Sequence, residues 1–154
     1  MDALDRRLLD ALQRDASVTN ATLAELCGLS PSSCLRRVQR LKAEGYLTST
    51  VALADADRLG RSLTAIVEVV LELHAKSKRG KFLEVLEREA SVTQAWTVTG
   101  DPDMVLILRL KDMKEYAELV NRVFDTDPNV LRFRTLFVMS THKDTTAIPT
   151  DALP

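Results

Sequence analysis

The stretch Cys27–Ser33 reads CGLSPSS and restricts the fold more tightly than any other part of the chain. Gly28 is the residue type that accepts the left-handed conformation ending a helix. Two positions later Ser30 offers an N-cap oxygen, and Pro31 suits the first helical position, where its missing N–H has no partner to lose. One helix must stop and another start within a few residues. Upstream, Leu23, Ala24, Leu26 and Cys27 have helical spacing; downstream, Cys34, Val38 and Leu41 form an apolar seam that ends at Gly45. Two helices joined by so tight a turn predict a helix-turn-helix, whose second helix enters the DNA major groove.

That second helix carries Arg36, Arg37, Arg40 and Lys42. At about 100° per residue, Ser32, Arg36 and Gln39 point away from the apolar seam, and Ser33, Arg37 and Arg40 follow one flank. Arg36 has the geometry for a bidentate guanine contact and Gln39 for adenine. Ser33, Arg37 and Arg40 are placed to hold phosphates and fix register. With Ser30 and Ser32 at the helix start, these residues form the expected DNA-binding set. A net charge of -1 makes binding depend on where charge sits, because Asp2, Asp5, Asp10, Asp15 and Glu25 offset the basic helix. Two copies on one duplex would hold far better than one.

Leu4–Leu12 predicts a preceding amphipathic helix, with Asp2 or Asp5 near its positive end. Tyr46–Ala54 is rich in β-branched residues and predicts a short strand or wing. Residues 1–54 are therefore expected to form a winged helix-turn-helix domain and residues 55–61 a linker. In residues 62–154 the pattern becomes strand Leu63–Leu73, helix Lys78–Glu89, strands Val92–Thr99 and Met104–Leu110, helix Met113–Phe124 and strand Val130–Thr141. The second helix is expected to bury Met113, Tyr116, Ala117, Val120 and Phe124. The order βαββαβ predicts a ferredoxin-like antiparallel sheet with both helices on one face, and so an α+β chain. Leu106 and Leu108 oppose Val105 and Ile107, so both faces of that sheet are apolar. A second copy is the simplest cover for the outer face, which predicts a homodimer.

Other functions find little support. Met1–Arg7 is charged with no apolar core behind it, and no segment is long and apolar enough to span a membrane, so a cytoplasmic protein is expected. Cys27 and Cys34 read as packed free thiols; with only His74 and His142 elsewhere they make no metal set. No phosphate loop, nucleophile elbow or HExxH helix is present, which excludes the commoner catalytic frameworks. Neither an enzymatic role nor a cofactor is expected.

The chain resembles the Lrp/AsnC regulators, also called feast/famine regulatory proteins. The resemblance runs through Leu4–Asp15, Leu23–Leu47, Val98–Tyr116 and Pro128–Lys143. It implies a DNA-binding transcriptional regulator that dimerises through its C-terminal sheet, with dimers assembling further into octamers, as rings, or into open helices that wrap DNA, and that senses a small molecule, commonly an amino acid, between dimers. By position, Gly100, Asp101, Pro102 and Asp103 match the family's effector loop, and Met113, Leu136, Phe137 and Val138 match positions tied to effector response. The pair Pro102–Asp103 departs from the usual aromatic-containing loop. A zwitterion needs a carboxylate for its ammonium, which Asp103 or Asp101 offers, and N–H donors for its carboxylate, which a tight Gly100 turn offers. Trp96 and Met113 would line a side-chain pocket, with a dimer interface the competing role for Trp96. The other reading of the whole chain is an architectural DNA-binding protein that responds to no effector.

Overall fold

The computed structural model describes residues 1–72 and 76–151. The chain divides into two compact units: Met1–Leu53 with the tail from His142, and Ala54–Thr141. In the first unit, α1 (Ala3–Arg14), α2 (Asn20–Cys27) and α3 (Pro31–Ala43) pack around Leu8, Leu9, Leu23, Ala24, Cys27, Cys34 and Leu41. The turn follows the sequence expectation. Gly28 sits at φ 67°, and the Leu29 N–H returns to the Ala24 carbonyl at 2.8 Å. Ser30 caps α3, accepting the Ser33 N–H at 3.3 Å. Both thiols are buried, and burial pushes both up, so neither is a reactive nucleophile.

Two features of this unit differ from expectation. Tyr46–Ala54 forms no strand or wing, because a strand exists only where a neighbour pairs with its N–H and C=O groups and this segment has no ladder partner among the described residues. The tail, assigned from sequence to the second domain, packs with the first unit. The Gln13 amide donates to the Ile148 carbonyl at 3.0 Å and accepts the Ile148 N–H at 2.7 Å, while the Thr150 hydroxyl donates to Asp10 at 2.9 Å.

The second unit contains β1 (Leu63–Leu71), α4 (Lys76–Arg88), β2 (Val92–Thr97), β3 (Met104–Leu110), α5 (Met113–Leu119) and β4 (Val130–Phe137). The strands pair antiparallel in the order β2-β3-β1-β4, the ferredoxin-like arrangement. One face buries Ala65, Val67, Val69, Leu71, Met104, Leu106, Leu108 and Leu110 beneath Phe82 and Leu86 of α4 and the α5 region. The other face lies open. Ile107, Ile66 and Leu136 stand side by side across β3, β1 and β4, and Trp96 stands beside Val105. At the unit's start, Arg61 donates to Glu115 and to the Arg109 carbonyl, both at 3.0 Å, anchoring the end of the expected linker.

The strands are shorter than expected, ending at Leu71, Thr97 and Phe137. Leu73 and His74 lie outside the described residues. The second helix also differs: α5 stops at Leu119 and the chain continues as a wider π-helical segment, Val120–Asp125. The core-facing side carries Leu119, Val123 and Phe124, with Tyr116 and Val120 partly buried against it, while Met113 and Ala117, on the adjoining side of α5, are exposed. Among the described residues, no helix is long and apolar enough to cross a membrane.

Phe82 is fully buried and packs 6.5 Å from the Phe124 ring. Phe82→Ala is expected to cost about 3–5 kcal/mol in denaturant unfolding, whereas Leu26→Ala, on the exposed side of α2, stays within about 0.5 kcal/mol.

Candidate nucleic-acid interface and effector loop

In α3, Cys34 and Leu41 are buried, and Ser32, Arg36 and Gln39 are exposed on the far side, as the helical projection requires. Pro31 also anchors the helix start, its carbonyl accepting the Asn20 amide at 2.8 Å. Ser30 is occupied as the cap and lies 3.3 Å from the Ser32 hydroxyl.

The flanking arginines behave differently from Arg36. Arg37 Nη1 donates to Asp2 Oδ2 and Asp5 Oδ1, both at 2.7 Å, and Arg40 Nη2 donates to Asp5 Oδ2 at 2.6 Å. Arg37 is 22% exposed and Arg40 47%, while the Asp5 carboxylate beneath them is 1% exposed. The acids are set by the first turn of α1. Asp2 caps the helix by accepting the Asp5 N–H at 2.9 Å, and the Asp5 carboxylate accepts the Asp2 N–H at 3.0 Å. The Asp5 N–H and the Arg37 guanidinium hold the Asp2 carboxyl down at about 2, against an ordinary 3.8. At Asp5 burial pushes upward, but the Asp2 N–H, Arg37 and the Arg40 charge outweigh it and keep the carboxyl below its usual range. The same partners push the Arg37 guanidinium up. Asp–x–x–Asp before an apolar run was a readable capping signal; the closure of Arg37 and Arg40 over it was not, because it joins positions more than thirty residues apart.

In the second unit the loop from Val98 to Asp103 joins β2 to β3, with Gly100 at φ 95°, where a side chain would be strained. Asp103 is a structural clamp. Its N–H donates to the Val69 carbonyl at 3.0 Å, and its carboxylate accepts the Leu71 N–H at 2.8 Å. Asp101 is exposed and pairs with Arg132 at 2.6 Å. Asp101 and Pro102, with Glu68, Val70, Arg132, Phe133 and Arg134, line a hollow of about 230 Å³. A second ion pair, Arg134 to Glu68 at 2.6 Å, lies in its wall. Sequence reasoning missed Arg132, Arg134 and Glu68; only strand pairing places them beside the loop.

The nine expected effector residues do not converge in one chain. Gly100–Asp103 precede β3, and Trp96 lies beside them, 48% exposed on the open face opposite Val105. Met113 follows the other end of β3, a distance of about 20 Å along a seven-residue strand. Leu136 and Phe137 pair with Ile66 and Ala65, and the Val138 N–H donates to the Thr64 carbonyl at 2.9 Å, all toward the Met113 end. Phe137 faces the helix layer, its ring 5.1 Å from Tyr116. Strand alternation and strand length split the set in two. Among the described residues, no group of His, Cys, Asp and Glu is placed to hold a metal ion.

A capped, basic helix in a helix-turn-helix, on a chain that also carries a ferredoxin-like unit, defines a two-part DNA-binding regulator. Residues 1–42 match the AsnC-type helix-turn-helix domain and residues 64–148 the Lrp/AsnC ligand binding domain. The DNA-binding transcriptional activator DecR of Escherichia coli is 32% identical over 149 residues, spanning 97% of this chain and 98% of its own. The leucine-responsive regulatory protein of Escherichia coli is 33% identical over 139 residues, 90% and 85% of the respective chains. The transcriptional regulator NMB0573 of Neisseria meningitidis, solved in complex with L-Met, has a TM-score of 0.94 at 28% identity, covering 98% of this chain and 97% of that one. This chain belongs to the Lrp/AsnC family: it is a transcriptional regulator with that family's ligand-binding domain, and not an enzyme.

The acid cluster predicts a pH dependence. Asp2 and Asp5 are more acidic in the folded chain than at the ordinary 3.8, so their contribution is fully present above that value and is lost as pH falls toward about 2. The thermal midpoint of the wild type should drop more steeply below about pH 4 than that of Asp2→Asn, which keeps a capping side chain but no charge. Superimposable pH profiles for the two would contradict the assignment.

Proposed function

We propose that this regulator reads DNA through α3 as a homodimer, and that an amino acid bound between copies at the Gly100–Asp103 loop alters its assembly. The exposed Arg36–Gln39 face, on a helix capped at Ser30 and braced from behind, carries the DNA reading. Arg36 contacts a guanine edge and Gln39 an adenine. Ser30, Ser32 and Ser33 meet phosphate at the helix start, Arg40 does so with the part of its guanidinium its ion pairs leave exposed, and Arg37 steadies the flank. Paired copies present two such helices to half-sites about 34 Å or a multiple apart. DecR, described as a DNA-binding transcriptional activator, supports this assignment.

Dimerisation through the uncovered sheet face rests on the apolar row of Ile107, Ile66 and Leu136 with Trp96 beside Val105, of which Leu136 and Trp96 are exposed and the others half-buried. The effector reading rests on the split of the expected residues between the two ends of the sheet: a site using both ends needs two chains. Asp101 and Arg132 carry the opposite charges that an amino acid's ammonium and carboxylate require, and the Gly100 turn lends N–H donors. Met113, Leu136, Phe137 and Val138 of another copy complete the site, and Trp96 lies at its edge or in the dimer interface. The leucine-responsive regulatory protein and the L-Met complex of NMB0573 point to an amino acid as the ligand class. Further assembly to an octamer and a cytoplasmic location complete the reading.

Arg36→Ala is expected to cost about 1–3 kcal/mol on a preferred duplex and little on random duplex. Equal losses on both would reject its base-reading role. For the effector, light scattering and thermal shift against an amino-acid panel should find one that raises the melting temperature and changes assembly size, with the response lost in Asp101→Asn. A flat panel with intact oligomers would favour the architectural reading.

A further inference from the structure

Asp5 is an almost wholly buried carboxylate with every close partner charged or at a helix terminus. Its oxygens take the Asp2 N–H at 3.0 Å, Arg37 at 2.7 Å and Arg40 at 2.6 Å, and Asp2 takes the same Arg37 nitrogen from the outside. Arg37 and Arg40 are three residues apart and share one flank of α3. Two attachment points on one flank fix both the rotation of α3 about its axis and its travel along it. The same contacts set two negative charges against two positive ones, while Arg36 has no ion pair among the described contacts.

We propose that Asp2 and Asp5 are specificity-determining positioning residues: by holding Arg37 and Arg40 they fix the rotation of α3 and withhold the Arg37 guanidinium, and part of that of Arg40, from indiscriminate phosphate binding. The proposal rests on α3 being the DNA-contacting element. Sequence-independent affinity grows with each phosphate neutralised, with a salt slope of about 0.9 per contact. Phosphates surround every site, so free arginines on the flank would strengthen all DNA binding alike, while a loosened α3 would blur the aim of Arg36 and Gln39. The acids act on the difference between preferred and random DNA and not simply on affinity.

The test compares the full-length protein with Asp5→Asn and Asp2→Asn, titrating a preferred duplex, selected with the wild type, and a random duplex across a salt series. Asp5→Asn should steepen the random-duplex salt slope by about 1 to 2 and tighten random binding severalfold at low salt, narrowing the preferred-to-random ratio by about tenfold. Asp2→Asn, which retains a good cap on an exposed position, should shift the slope the same way by about 1 or less. If Asp5→Asn does not fold, the salt slope of Asp2→Asn decides. Unchanged slopes, or losses on both duplexes that merely follow a lower melting temperature, would overturn the proposal. A wild type with no salt-dependent affinity for any duplex would instead overturn the DNA reading of α3, and the proposal with it.

Discussion

A four-stranded sheet with only two helices has one face more than it can cover, and much of this chain follows from that constraint. The covered face is a dry core of aliphatic residues under Phe82, Phe124 and their neighbours. The strands nonetheless place Ile66, Ile107, Val105 and Trp96 on the other side, where a solvated sheet would carry polar residues. Of the charged residues on that face, Glu68 and Arg134 are paired with each other, Arg132 pairs with Asp101, and Arg109 donates to the Thr64 hydroxyl. A face built of apolar rows and engaged charges suits a second copy better than water. The proposed dimer would in turn give a single weakly basic helix the partner it needs for a useful grip on DNA.

The first unit solves a different problem. A recognition helix must be cationic to approach DNA, yet a helix held only by Cys34, Val38 and Leu41 would be free to roll about its apolar seam. The Asp2–Asp5 cluster supplies a directional hold. Breaking one partner of so buried a pair leaves an uncompensated charge, which is costly even where the intact pair adds little net stability. Its value is therefore geometric. It also explains how a chain of net charge -1 keeps a focused basic surface: the acids neutralise the flank and leave the tip.

Local signals carried most of the fold. The Gly28–Pro31 turn, the Ser30 cap and the βαββαβ order could be read because each depends on neighbours within a few residues, or on simple alternation. Features set by distant partners could not. The missing ladder at Tyr46–Ala54 depends on whether another strand is available, and the tail's place depends on Gln13 reaching the Ile148 peptide. The π-helical turn after Leu119 has no marker in a sequence that still reads as helical, and helical spacing alone does not say which side of α5 meets the sheet, so Met113 and Ala117 read as buried yet lie outside. At the candidate sites, residue types and faces were legible. Which arginine is free and which is tied was not, nor was the engagement of Asp103 by the Leu71 N–H.

That last distinction bears on how a ligand would act. Asp103 knits the loop to β1, so its carboxylate is spent on the fold, whereas Asp101 and Arg132 form an exposed pair worth about 0–1 kcal/mol. Opening such a pair for a zwitterion costs little, and the incoming ammonium and carboxylate replace what is lost. Most of the ligand's binding free energy is then available for contacts with a second copy. To drive assembly from 1:99 to 99:1, a ligand must prefer one state by roughly 5.5 kcal/mol, and contacts within one chain contribute nothing to that difference. Only residues brought from another molecule, of the kind clustered at the Met113 end of the sheet, supply it. A loop that is rigid at Asp103 and cheaply opened at Asp101 is thus suited to turning ligand binding into a change of assembly and not into a change within the chain.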